Sequence, residues 1–172
     1  EVPPRYVVLA GDGSYDYEEG YISKFANSKD SVIVVARDGQ RIVGAATGSP
    51  LTGHADAFAE PFKARGYDLG KIFYFGESVL LRSYRGRGIG HQFFDHREAF
   101  ARQQGKYTHT AFCAVVRPAK HPLMPPEPRS LNPFWSKRGY DRVDGLVAHF
   151  DWKDIDQPGK TTKPMQFWMR AL

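Results

Sequence analysis

The chain has one cysteine, Cys113, in 172 residues. A disulfide framework within the chain is therefore excluded, and so is a metal site built on clustered cysteines. No apolar run reaches the length of a membrane span, and no signal peptide is visible. Repeats, low-complexity tracts and runs of Lys or Arg are also absent, although the net charge is +5. A basic chain without a basic run fits a phosphorylated small ligand better than a nucleic acid. The only tight basic cluster is Arg82, Arg85 and Arg87, and it sits among glycines. The six histidines show no ligand spacing, so His54, His91, His96, His109 and His149 read as surface or packed residues and no metal is expected. The chain opens on Glu1 rather than Met, consistent with residues removed upstream, and the default location is cytoplasmic.

What is present is ample for one packed unit. Hydrophobic residues make up 41% of the chain and aromatics 14%, the composition of a globule rather than a disordered segment. No composition shift divides residues 1–172, so a single domain is expected.

Hydrophobic periodicity and turn residues predict the element order. A turn at Gly11-Asp12-Gly13 precedes a helix over Tyr15 to Ala26. The β-branched run Ser31 to Arg37, the turn Asp38-Gly39 and the return Arg41 to Thr47 form a hairpin. Gly44 and Gly48 mark bulges or close backbone approach in its second strand. A short helix over His54 to Arg65 ends at Gly66, and Lys71 to Leu81 is a buried strand. A helix follows from Gly88 to Gln104, with Ile89, Phe93, His96 and Phe100 on one face and Phe94 and Ala101 beside it. Tyr107 to Val116 is a strand. The stretch 117–133 holds six of the twelve prolines and reads as a rigid irregular loop. Leu131 to Arg138 is a short helix ending at Gly139, and Leu146 to Trp152 and Met165 to Leu172 are strands.

The strongest local object is strand, glycine loop and helix, with the loop reading Arg85-Gly86-Arg87-Gly88-Ile89-Gly90. Backbone N–H groups at a helix start lack intrahelical partners, and the helix dipole is positive there. Glycines allow a phosphate close approach to those groups, and arginines neutralise it. A diphosphate is the expected ligand. The Walker loop is excluded, because no Gly-Lys-Ser/Thr follows at the required spacing. A dinucleotide fingerprint is disfavoured as well. Position 91 is His, and the strand ending at Val116 carries no acidic residue.

The remaining pattern, Arg-x-x-Gly-x-Gly at Arg85, Gly88 and Gly90, resembles the acetyl-CoA loop of the GNAT acyltransferase superfamily. The order of elements over residues 15–172 is similar too. So is the segment Phe134-Trp135-Ser136-Lys137-Arg138-Gly139-Tyr140, which resembles the family's second cofactor-contact helix. The family's first strand and first helix are not clear in this chain. The resemblance implies an α+β fold in α/β/α layers: a mixed, mostly antiparallel sheet, flanking helices and a V-shaped splay between the two central strands. It implies acetyl-CoA as cosubstrate, held by Arg85, Gly86, Arg87, Gly88, Ile89 and Gly90, and by freed backbone N–H groups at Val79, Leu80 and Leu81. Asn132, read as the N-cap of the contact helix, and Trp135 belong to the same set.

The activity implied is acetyl transfer to a primary amine of a small molecule or a protein. The alternative is an acyl-CoA-binding module without turnover. Many family members carry a glutamate base in the strand before the loop, and Glu77 stands there; otherwise it pairs with an arginine or faces solvent. Trp135 occupies the slot of the family's proton-donating Tyr. Tyr140, expected among the catalytic residues, Cys113 and His121 are the substitutes for it, Tyr140 otherwise being a core aromatic that closes the helix. Direct transfer with water protonating the thiolate is equally compatible. The acceptor is expected between residues 15–26, the segment around 50–66 and the proline loop. A homodimer is left open.

Overall fold

The computed structural model describes residues 30–54, 56–118, 124, 130–154 and 156–172. The turn and helix expected before residue 27 and most of the proline loop, His121 included, lie outside them.

Six strands form one sheet in the order β1-β2-β3-β4-β6-β5, where β1 is Val32–Asp38, β2 Arg41–Pro50, β3 Ile72–Leu80, β4 His109–Val115, β5 Asp141–Trp152 and β6 Thr161–Ala171. All neighbours are antiparallel except β3 and β4. The parallel pair needs a crossover, supplied by the longest of the described helices. Among the described residues the helices are α1 (Asp56–Lys63), α2 (Ile89–Gln103) and α3 (Asn132–Lys137). This is the mixed α+β sheet that the sequence implies.

Strand alternation sends β3 side chains to opposite faces. Ile72 and Tyr74 join Phe62 of α1 with Leu146 and Phe167 in one core. Phe73 and Phe75 join Phe94 and Ala101 of α2 with Tyr140 and Trp168 in the other. The α2 face differs from the one read in the sequence. Phe93, Phe94, Arg97, Glu98 and Ala101 are buried, whereas His96 is exposed and Ile89 and Phe100 are half-buried. Two charged residues occupy the core face because each finds partners there.

The expected bulge in β2–β3 is present. Ala46 pairs with Ser78 and Gly48 with Phe75, so Thr47 stands alone opposite Gly76 and Glu77. Gly48 must be glycine: a Cβ there would lie 2.6 Å from the Phe73 ring.

Some bounds move. Strand β5 begins at Asp141, five residues before the expected Leu146, because an irregularity between Arg142 and Val147 carries Gly145 at φ +69°. Strand β6 begins at Thr161 rather than Met165. Asn132 is the first residue of α3 and Leu131 its N-cap; the Asn132 N–H donates to Ser130 Oγ at 3.2 Å. The serine, not the asparagine, supplies the capping oxygen.

Candidate functional site

The site begins where the central strands part. Strands β3 and β4 share three ladder pairs, Ile72 with His109, Phe73 with Thr110 and Tyr74 with Ala111. Beyond them β3 continues to Leu80 and β4 to Val115 without pairing to each other. Both strands therefore expose backbone groups along a wedge that opens toward the glycine loop.

The direction of each group along β3 follows from its partners. The Leu81 N–H donates to Val43 O at 2.9 Å, so it is turned toward β2 and is not freed, contrary to the expectation for this residue. Backbone groups alternate along a strand, so Val79 is turned the same way. Leu80 is turned to the wedge, where its carbonyl accepts from Arg85 Nε at 3.2 Å. Of the three positions expected, Leu80 is the one on the open edge.

A single helical turn, Arg82–Tyr84, leads into the loop. The Tyr84 hydroxyl donates to Asp38 Oδ2 at 2.7 Å, and the Arg87 guanidinium lies 5.0 Å from the Tyr84 ring. The loop is thus fastened to the β1–β2 hairpin and to its own aromatic. Gly86 and Gly88 take φ of +77° and +80°, the left-handed region that favours glycine. A Cβ at either would meet nothing within 4 Å, so both open onto free space. Gly88 is the N-cap of α2, and the N–H groups of Ile89 and Gly90 have no partner within the helix. Gly86 through Gly90 form an open nest of amides, with Arg85 and Arg87 exposed beside it.

Helix α3 docks against this end of α2. Phe134 packs 4.8 Å from the His91 ring, and its ring edge lies 3.7 Å from the Cβ position of Gly90. Arg138 donates to Asp95 Oδ1 at 2.6 Å, to Glu98 Oε1 at 3.2 Å and to His91 O at 3.3 Å. The Trp135 ring rests on Phe112 and Trp168, at 5.0 and 5.2 Å, along the β4 arm of the wedge. Asn132 is exposed at the start of the helix.

Tyr140 lies elsewhere. It is fully buried, and its hydroxyl is shared with Thr110 Oγ1 at 2.8 Å and Glu98 Oε1 at 3.1 Å. Burial raises its pKa well above the usual phenol range. The structure does not bring this hydroxyl to the wedge.

Glu77 stands at the bulge with its side chain exposed, and its N–H donates to Thr47 Oγ1 at 2.9 Å. Its carboxylate acts electrostatically on Cys113, across the wedge. The Cys113 thiol lies 3.1 Å from the Tyr74 hydroxyl. Burial pushes it up to about 12, with Glu77 adding to the rise. Next to Tyr74 is His54, whose ring centroid is 4.6 Å from the tyrosine ring and whose Nε2 lies 2.7 Å from Ser49 Oγ. Burial lowers this imidazole to about 4.

Sequence reasoning did not place Ser49, His54 and Tyr74 together, because they come from the end of β2, the turn after it and β3. Arg97 of α2 and Thr47 of β2, which meet at the bulge, were also missed. Among the described residues no group of three His, Cys, Asp or Glu side chains could hold a metal ion, and no helix is long and apolar enough to cross a membrane.

The geometry agrees with the comparisons. A search of curated protein sequences finds no match. Solved structures match in fold. One is an aminoglycoside 6'-N-acetyltransferase complexed with coenzyme A (13% identity, 91% of this chain and 80% of that one, TM-score 0.58). Another is a ribosomal-protein-alanine N-acetyltransferase from Brucella melitensis (13%, 91% and 78%, TM-score 0.57). A third is a GNAT family acetyltransferase from Elizabethkingia anophelis with acetyl-CoA bound (12%, 94% and 86%, TM-score 0.55). The sequence model of the acetyltransferase (GNAT) family matches residues 4–123, well over half of the chain. With the parted central strands and the amide nest between strand and helix, this match makes the chain a member of the GNAT acetyltransferase family.

Proposed function

We propose that this chain transfers the acetyl group of acetyl-CoA to a primary amine of a small molecule or peptide. The observation that carries this reading is the adjacency of two features: the wedge where β3 and β4 part, and the open glycine nest at the start of α2. The nest fits a diphosphate, because nothing stands within 4 Å of a Cβ at Gly86 or Gly88 and two arginines flank the amides. The wedge fits an extended arm lying between two strands, with backbone groups as partners.

In this reading the amides of Gly86 to Gly90 hold the diphosphate, and Arg85 and Arg87 balance its charge. Asn132 and Trp135 border the arm from α3. The Leu80 N–H, on the open edge of β3, faces the arm and is a candidate to polarise a carbonyl there. Bound there, acetyl-CoA supplies an activated thioester. Glu77 takes a proton from the attacking amine as the C–N bond forms. The C–S bond breaks, and the proton passes to the departing sulfur by way of the carboxyl group or water. Tyr140 has no part in this, since its hydroxyl is committed to Thr110 and Glu98.

The second reading, an acyl-CoA-binding domain without turnover, is favoured by one observation: Trp135 rather than a tyrosine stands beside the wedge. Incubation with acetyl-CoA and a panel of amines, following free thiol, separates the two. Amine-dependent thiol release supports transfer. Acetyl-CoA binding without release across the panel would leave the binding domain.

A further inference from the structure

Arg97 is 1% exposed, the largest fully buried side chain among the described residues, and it sits in the middle of α2. Burial of a cation is costly unless it is hydrogen bonded. Two of its partners lie in its own helix and two at one feature, the β3 bulge. Nη1 donates to Thr47 O at 3.2 Å, and Nε donates to Phe93 O, one turn back in α2, at 3.0 Å. The guanidinium lies 4.2 Å from the Phe75 ring and 5.0 Å from the Phe94 ring. Thr47 is the β2 residue left without a β3 partner, and Phe75 is the last β3 residue paired before the bulge. Thr47 in turn accepts the Glu77 N–H on its hydroxyl at 2.9 Å.

We propose that Arg97 is a positioning residue that ties α2 to the bulge and so holds Glu77 against the wedge. A bulge interrupts the ladder that would otherwise set the backbone there. Two bonds replace it, Arg97 to the Thr47 carbonyl and the Thr47 hydroxyl to the Glu77 amide. The same helix begins at the glycine nest eight residues earlier, about 12 Å along its axis. Arg97 therefore fixes the distance between the diphosphate end of the site and the carboxylate end. Hydrophobic packing alone does not call for this residue: a methionine would fill the same space without the desolvation cost. The role at Glu77 rests on the acetyltransferase reading above; the tie itself does not.

The test uses Thr47→Val, Thr47→Ser, Arg97→Met and Arg97→Lys in the full chain. Amide exchange at Glu77 is read by NMR, acetyl-CoA affinity by calorimetry, and turnover by thiol release with the most active amine of the panel. Thr47→Val and Arg97→Met are expected to speed Glu77 exchange about tenfold or more. Both should lower kcat by about tenfold or more and leave the KM for acetyl-CoA within about threefold. Thr47→Ser should keep the native exchange rate and kcat, and Arg97→Lys should recover part of both. Unchanged Glu77 exchange in Thr47→Val and Arg97→Met would overturn the tie. Faster exchange with unchanged kcat would overturn the positioning role. If Arg97→Met does not fold, Arg97→Lys, whose single ammonium cannot hold Thr47 O and Phe93 O in the same fork, is read in its place for the tie, unchanged Glu77 exchange overturning it, and Thr47→Val decides the positioning of Glu77. Absence of turnover by the unaltered chain would defeat the acetyltransferase reading and with it the positioning role, while the exchange result would still decide the tie.

Discussion

The Tyr74 hydroxyl and the Cys113 sulfur lie 3.1 Å apart, where β3 and β4 cease to pair. This contact closes the narrow end of the wedge. Burial pushes the thiol up to about 12, so little thiolate is present near neutrality. Cys113 should react with iodoacetamide at pH 8 about a thousandfold more slowly than a free thiol of pKa about 8.5. Mass spectrometry of the intact chain over time reads this directly. Alkylation at the rate of a free thiol would mean that the narrow end is open.

His54 ties stability to pH. Burial lowers its pKa from 6.5 to about 4, so the folded chain holds the ring neutral. The resulting stability is fully present above pH 6.5 and is lost as the pH falls toward 4, because the unfolded chain takes up the proton first. Between pH 7 and pH 5 the loss should be about 2 kcal/mol from this group. Urea unfolding at both pH values measures it. His54→Gln, which can still bond Ser49, should lose about 2 kcal/mol less over the same interval.

Gly88 separates binding from folding. A side chain at φ +80° costs roughly 1–2 kcal/mol, and its Cβ projects into open space rather than into the core. Gly88→Val should keep the circular dichroism spectrum and lose acetyl-CoA binding by calorimetry. Unchanged affinity would remove the nest from the cofactor site.

Glu77→Gln should lower kcat by about a hundredfold near pH 7, where an amine acceptor is mostly protonated and needs a base. The deficit should narrow toward pH 10 as the free amine becomes abundant. A parallel pH–rate profile for both forms would take Glu77 out of the proton transfer.

Glu98 holds the other end of the α2 core face. It is 4% exposed and accepts from Arg138, Arg170 and Tyr140 at 3.0 to 3.2 Å. Glu98→Gln removes one counter-charge from Arg138, which keeps Asp95, and the one facing the part-exposed Arg170, and should destabilise the chain by about 1–3 kcal/mol in denaturant unfolding.

Much of this was legible because the relevant physics is local. The hairpin at Asp38-Gly39, the strand over residues 72–80 and the long helix after Gly88 each follow from periodicity and turn residues, and all lie within two or three residues of their expected bounds. The glycine nest was legible for the same reason. What was not legible depends on distant partners. Nothing in the spacing of α2 marks Arg97 and Glu98 as core residues until Thr47, Arg138 and Arg170 are seen around them. The early start of β5 is hidden by the polar Asp141 to Gly145, whose irregular pairing breaks the alternation. The direction of the N–H groups at Val79, Leu80 and Leu81 depends on register, which one bulge shifts.

The central claim is acetyl transfer at the wedge. A reaction of the chain with acetyl-CoA labelled in the acetyl group and an amine panel tests it most directly. The account predicts one free thiol for each labelled amide, with both lost in Gly88→Val. Label that stays in the thioester across the panel, while acetyl-CoA binds, would contradict it.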